Sequence, residues 1–333
     1  MALIDNAVYR DGHRVQTPHS LEETYEINRA EGGMAWIGLY RPADPELRSV
    51  AEEFNIHRLA VEDARKDHQR SKLERYGETL FVALRPARYI DADERVEFGE
   101  LHIFVGPDFV VTIRHAESPD LSRVRQRLEG NPELLKLGPE AVLYAILDQV
   151  VDEYEPVVAG LENDIDEIED QLFGHSDDDA LSRRIYALSR EVISFQRAVH
   201  PLEDMLEALL RGGERYGVEV DLQRSLRDVL DHTKRTTERA DSFRTLLDNA
   251  LHVQTTLLTR AMTRVSVDQN DQLKKITSWA AILFAPTLIG TVYGMNFDNI
   301  PELAWPLGYP FAIGLMIVLG AGLYIVFKAK KWL

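Results

Sequence analysis

Residues 276–297 read ITSWAAILFAPTLIGTVYGMNF, a run without one charged side chain. A second uncharged run fills 303–327, and the short loop between them holds Asp298 and Glu302. As helices, both are long enough to cross a hydrocarbon core about 30 Å thick, which takes roughly 17–25 residues. The first run closes on Tyr293-Gly294-Met295-Asn296, which sets polar groups at the tip of the hairpin. A chain that keeps both runs for its C-terminal end, with such a tip between them, reads as built around a membrane pore.

Orientation follows from the flanks. Lys274 and Lys275 precede the first span, Lys328, Lys330 and Lys331 follow the second, and the acidic loop has no basic residue. The positive-inside rule places both termini in the cytoplasm and the loop outside. Trp305, Tyr309 and Trp332 fall where interfacial aromatic residues are expected. The first residues, Met1-Ala2-Leu3-Ile4-Asp5, lack a basic n-region and apolar h-region, so the main body is expected to be made in the cytosol.

Working outward, the 333 residues carry a net charge of −17 and no cysteine. Disulfides, thiolate metal sites and cysteine nucleophiles are thereby excluded. The acidic balance argues against nucleic acid as a partner, because phosphate contacts call for a basic surface. Neither a Gly-x-x-x-x-Gly-Lys loop nor a nucleophile–base pattern is present, so neither ATP-driven transport nor an enzyme is indicated. The ten histidines show no metal-ligand spacing, and His57 and His68, in polar surroundings, read as surface residues.

The fold class expected is α+β. Residues 1–138 form a mixed α/β domain: Ala35–Leu39, Leu80–Ala83, Val96–Val105 and Phe109–Ile113 have strand character, giving a mainly antiparallel sheet with helices packed on it. Asp44 is the expected N-cap of a helix with Pro45 at its first position. Gly138-Pro139 opens a helical hairpin, 139–217, with a bend at Pro156, a stop at Gly174 and an acidic helix start at 177–179. The acidic run 162–170 reads as a solvated helix face, with binding or concentration of cations near the cytosolic mouth as the other reading. A stalk helix, 218–275, continues without glycine into the first span, 276–297, and would couple the body rigidly to the pore. From 220 to 295 it would measure roughly 114 Å at ~1.5 Å per residue. Its seam of Leu222, Leu226, Val229, Thr233, Thr236, Ala240, Phe243, Leu247 and Ala250 faces neighbouring helices. A loop at 298–309, a second span at 310–329 and a basic tail at 330–333 complete the chain.

In the first span, residues at helical spacing bring Thr277, Thr287 and Thr291 onto or near one face. Two readings stay open. Threonines and Gly290-xxx-Gly294 serve helix packing in lipid, or the stripe lines a pore in an oligomer. With no acidic or basic residue in either run, 276–297 or 303–327, a pore here has no fixed charge to strip a cation of its water. Mg²⁺ sheds water reluctantly, so neutral oxygens from Asn296 and the Gly294 carbonyl suit a hydrated ion. Asp298 and Glu302 would concentrate cations outside, or only solubilise the loop.

These residues resemble the CorA family of divalent-cation channels, whose signature Tyr-Gly-Met-Asn stands intact as Tyr293-Gly294-Met295-Asn296. The family loop often continues Met-Pro-Glu-Leu, where this chain has Ile300-Pro301-Glu302-Leu303; Lys330-Lys331-Trp332-Leu333 is also familial. The resemblance covers the whole chain. It implies a homopentamer in membrane lipid whose first span lines the pore, passive Mg²⁺ influx (often also Co²⁺ or Ni²⁺), and gating by cytosolic Mg²⁺. Mg²⁺ is then both substrate and regulatory ligand, with no covalent cofactor. The filter falls on Gly294, Met295 and Asn296, and the pore on Asn270, Leu273, Ile276, Thr277, Phe284, Thr287 and Thr291. Leu273 and Ile276 would form a hydrophobic gate, and Phe284 is bulkier than the family's usual residue. The regulatory metal would lie between Asp228 of one subunit and Asp91 or Asp93 of another; a solvated carboxylate is the other reading of Asp228. A zinc transporter on the same scaffold and a membrane-anchored cytosolic sensor are the alternatives.

Overall fold

A computed structural model describes residues 3–65, 70–115, 119–174, 178–212, 219–296, 300–301 and 305–333. Nine strands and ten α-helices are described. They run β1 (Leu3–Arg10), β2 (His13–Gln16), α1 (Leu21–Glu31), β3 (Met34–Tyr40), α2 (Asp44–Glu53), α3 (Arg58–Ala64), β4 (Lys72–Tyr76), β5 (Thr79–Leu84), β6 (Ala87–Ile90), β7 (Arg95–Phe98), β8 (Leu101–Val105) and β9 (Phe109–Arg114). The helices α4 (Leu121–Glu129), α5 (Pro132–Leu135), α6 (Pro139–Asp152), α7 (Tyr154–Phe173), α8 (Asp178–Arg211), α9 (Val220–Tyr293) and α10 (Gly308–Ala329) follow. Two compact units divide the chain, Met1–Val253 and Gln254–Leu333.

In the first unit seven strands pair in the order β2-β1-β3-β9-β8-β5-β4. The pairs are antiparallel except β3 with β9. The sheet is covered on both faces, which is why its central strands read as nearly unbroken apolar runs. From β3, Met34 and Trp36 enter one core with α4 and α6, while Ala35, Ile37 and Leu39 enter a second with α2 and α3. The first core continues without a break through α7 and α8 to the unit-one part of α9. All nine seam residues predicted on α9, from Leu222 to Ala250, are buried. Arg239 ties that stretch to α7, bonding Glu155 at 2.8 Å and Glu162 at 2.6 Å.

Several boundaries differ from the sequence reading. The α2 cap is Ala43, not Asp44: the Glu46 carboxylate reaches back to accept from the Ala43 N–H at 2.9 Å, and Pro45 sits one position further in. Val96–Val105 is two strands. The Gly99 N–H donates to the Pro86 carbonyl at 2.8 Å, and β7 leaves the main sheet to pair with β6. The expected bend at Pro156 is a full break after Asp152, since a proline has no N–H for the carbonyl four residues back.

His57 is exposed and accepts from the Leu59 N–H at 3.2 Å; His68 lies outside the described residues. His102 of β8 is different. It is 1% exposed, and its Nδ1 has no hydrogen-bond partner among the described residues. Burial, and then the neighbouring His115, lower its pKa from 6.5 to about 4. The folded chain therefore keeps His102 neutral where the unfolded chain would bind a proton. The stability it allows is whole above pH 6.5 and is lost as pH falls toward 4, roughly 3 kcal/mol in all. We expect His102→Leu to flatten the unfolding free energy across that window; an unchanged slope would place the acid sensitivity elsewhere.

Candidate functional site

The second unit holds the C-terminal part of α9 and the whole of α10, the two helices long and apolar enough to cross a membrane. Pro286 lies inside α9, so the Ile282 carbonyl has no N–H to receive four residues on. Gly320 of α10 comes close here: a Cβ at Gly320 would sit 3.8 Å from Pro286 Cγ and 4.0 Å from the Ile282 carbonyl oxygen. One turn further, a Cβ on Gly290 would meet Met316 Cε at 3.6 Å. Trp279 and Tyr324 bring their ring centroids to 6.4 Å, and Ser278 and Ala285 are buried between these contacts. Gly290 thus serves packing, one of the two uses the sequence left open.

The pore candidates lie elsewhere on α9. At 3.6 residues per turn, Leu273, Ile276, Thr277, Phe284, Thr287 and Thr291 cluster roughly opposite the Ser278–Ala285 side. All six are exposed, as is Asn270; Leu273 and Ile276 are 62% and 67% exposed. Thr287 donates its hydroxyl proton to the Leu283 carbonyl at 3.1 Å, and Thr291 donates to the Thr287 carbonyl at 2.8 Å. A threonine whose proton is used this way offers its surroundings only lone pairs. The uncovered face therefore carries apolar Leu273 and Ile276 between Asn270 and Thr277 at its N-terminal end, and hydroxyl acceptors at Thr287 and Thr291 toward its C-terminal end.

α9 ends at the predicted filter. The Gly294 N–H donates to the Gly290 carbonyl at 2.9 Å, and the Met295 N–H to the Val292 carbonyl at 3.3 Å. A Cβ on Gly294 would press on the Gly290 carbonyl oxygen at 3.1 Å. Met295 and Asn296 are exposed beyond this last turn. They stand at the negative end of the helix dipole, about half an elementary charge and favourable to a cation. Asp298 and Glu302 lie outside the described residues. Past α10, Trp332 stacks on Phe327 at 5.7 Å, with Lys330 over its ring.

The proposed regulatory carboxylates are not brought together within the chain. Asp228 has Asp152 and His232 as neighbours, with His232 3.9 Å from it and 4.0 Å from Asp152. Burial raises the pKa of nearby Asp148, Arg127 opposes this, and Asp152 and Asp228 add to it. Asp91 and Asp93 lie exposed in the 3₁₀ turn joining β6 to β7. That hairpin is seated on α7: a Cβ at Gly160 would lie 2.2 Å from the Tyr89 ring, and the Tyr89 hydroxyl donates to Asp164. Asp164 is thus buried, a correction to the solvated face expected of 162–170. Glu94, Asp164 and Glu167 converge closely, but the cation among them is Arg184, at 2.9, 3.8 and 2.6 Å. Sequence reasoning missed this seat. Its one signal was Gly160, a glycine within a helical pattern, which marks a close packing approach.

An α/β domain shares its core with long helices, and two helices are long and apolar enough to cross a membrane, the pattern of a two-span membrane protein. Residues 31–330 match the model of the CorA-like Mg²⁺ transporter protein family, and the chain belongs to that family. It is 32% identical to YfjQ of Bacillus subtilis over 321 residues, covering 96% of this chain and 97% of the relative. To the cobalt/magnesium transport protein CorA of Thermotoga maritima it is 27% identical, covering 99% and 95%. Its fold is similar to the complete structure of the CorA magnesium transporter from Methanocaldococcus jannaschii, with TM-score 0.67, 19% identity and coverage of 100% and 99%.

Proposed function

We propose that this divalent-cation transporter is a channel for passive influx of hydrated Mg²⁺, with Co²⁺ and Ni²⁺ as further permeants, through an oligomer whose pore is the uncovered face of α9. The observation that carries this reading is that face. Leu273 and Ile276 are exposed and apolar at one end, Thr287 and Thr291 offer lone pairs, and Asn296 stands beyond the helix end. A hydrated cation turns water hydrogens outward, so a wall of neutral acceptors can hold it without removing its shell. The apolar end closes by dewetting.

The organisation follows the sequence divisions: α/β domain 1–138, hairpin 139–217, stalk 218–275, spans at 276–297 and 310–329, and both termini in the cytoplasm. A homopentamer in membrane lipid is the assembly expected of the family. Cytosolic Mg²⁺ bound between Asp228 and the Asp91/Asp93 turn of a neighbouring protomer would neutralise like charges and hold the pore shut, a switch biased by differential binding. Purified protein in liposomes loaded with a Mg²⁺-sensitive dye tests the ion. Uptake of Mg²⁺ that Co²⁺ competes with and Zn²⁺ does not is the expected result. Zn²⁺ flux without Mg²⁺ flux would reject the reading.

A further inference from the structure

The chain carries a net charge of −17, yet one pocket of the first unit is lined by cations. A cavity of about 460 Å³ lies among Arg70 ahead of β4, Ile193, Arg197, His200 and Pro201 of α8, and Arg244 of α9. Some arginines of the helical body meet carboxylates. Arg184 reaches Glu94, Asp164 and Glu167, and Arg239 reaches Glu155 and Glu162. Among the described residues, Arg70, Arg197 and Arg244 have no carboxylate partner. The acid beside them, Asp241, is already used: its Oδ1 accepts from Gln196 Nε2 at 2.7 Å and faces His200 Nε2 at 3.0 Å.

We propose that this pocket binds a small phosphate-bearing anion. Three exposed guanidinium groups around one pocket give it a local positive field that favours an anion. The planar fork of a guanidinium matches phosphate oxygens in pairs. His200 adds a donor already oriented by Asp241, and Ile193 and Pro201 give an apolar wall. The volume falls within the few hundred to about 1,000 Å³ of small-molecule sites. Bound there, the anion bridges α8 to α9. Phosphate of this kind has two sources, a free nucleotide or an anionic lipid headgroup. The assignment is independent of which cation the channel carries.

The test is calorimetric titration of the full-length protein in neutral detergent and metal-free buffer. The probes are sodium pyrophosphate, sodium ATP and, separately, soluble dioctanoyl phosphatidylglycerol. Saturable binding is expected, weakened about tenfold or more by Arg197→Gln with Arg244→Gln, since charge-assisted pairs are lost. Arg123→Gln, an exposed arginine on α4, should leave it unchanged. Preference for ATP or pyrophosphate assigns a free phosphate, and preference for the lipid a headgroup. The proposal fails if no probe binds the wild type, or if the double variant binds as well as wild type. It also fails if the double variant elutes as a smaller species, which would set these arginines against a neighbouring copy.

Discussion

Asn296→Ala is expected to abolish Mg²⁺ uptake while leaving insertion and assembly intact. Asn296 is exposed one residue past the last turn of α9 and has no hydrogen bond or ion pair among the described residues, so truncation should cost little stability. What it loses is the amide oxygen at the negative end of the helix dipole, where a hydrated cation must be met before it enters. Repeated around an oligomer, this is the loss of a whole ring of acceptors, and each tenfold loss of ion binding corresponds to about 1.4 kcal/mol. Dye-loaded proteoliposomes measure it, with size-exclusion chromatography reporting assembly. Uptake equal to wild type would move the filter away from residues 294–296.

Gly160→Val should unseat the β6–β7 hairpin from α7. The new side chain would fall on the Tyr89 ring, since even a Cβ lies 2.2 Å from it. The ring cannot retreat without giving up its bond to buried Asp164. Overpacking costs about 1–3 kcal/mol, and a buried acceptor left unpaired a similar amount. Together they give ~2–6 kcal/mol, read as a lower melting temperature. Because the hairpin carries Asp91 and Asp93, control of the pore by internal Mg²⁺ should weaken as well. In Tyr89→Ala the same valine should cost much less, because the two residues share one contact. Additive effects would show that the hairpin is not held by this seat.

Much of this architecture was legible in the chain. The α9 seam could be read because its apolar residues recur at helical spacing, and every one of them is buried. The two spans could be read because an uncharged run of that length has few other uses. The strands β1, β2, β4 and β6 escaped. LIDNAVYR, HRVQ, KLERY and ARYI mix charge with apolar residues, and their place is set by pairing with distant strands. Asp164 escaped for a related reason. In sequence it is one acid in an acidic run, and its burial depends on Tyr89 and Arg184, 75 and 20 positions away. The pore stripe was legible as a face. Which side of α9 α10 covers could not be read from the spacing, and the proposed pore is assigned to the side it leaves uncovered.

The chain has no cysteine, so a single introduced thiol reports its own surroundings. Thr287→Cys places one on the uncovered face of α9, and Ala285→Cys places one against α10. Both would be reconstituted, assayed for Mg²⁺ uptake, and treated with a small cationic thiosulfonate. Block of uptake in Thr287→Cys, with Ala285→Cys unaffected, is the predicted result. Block at 285 with free passage at 287 would contradict the pore drawn here.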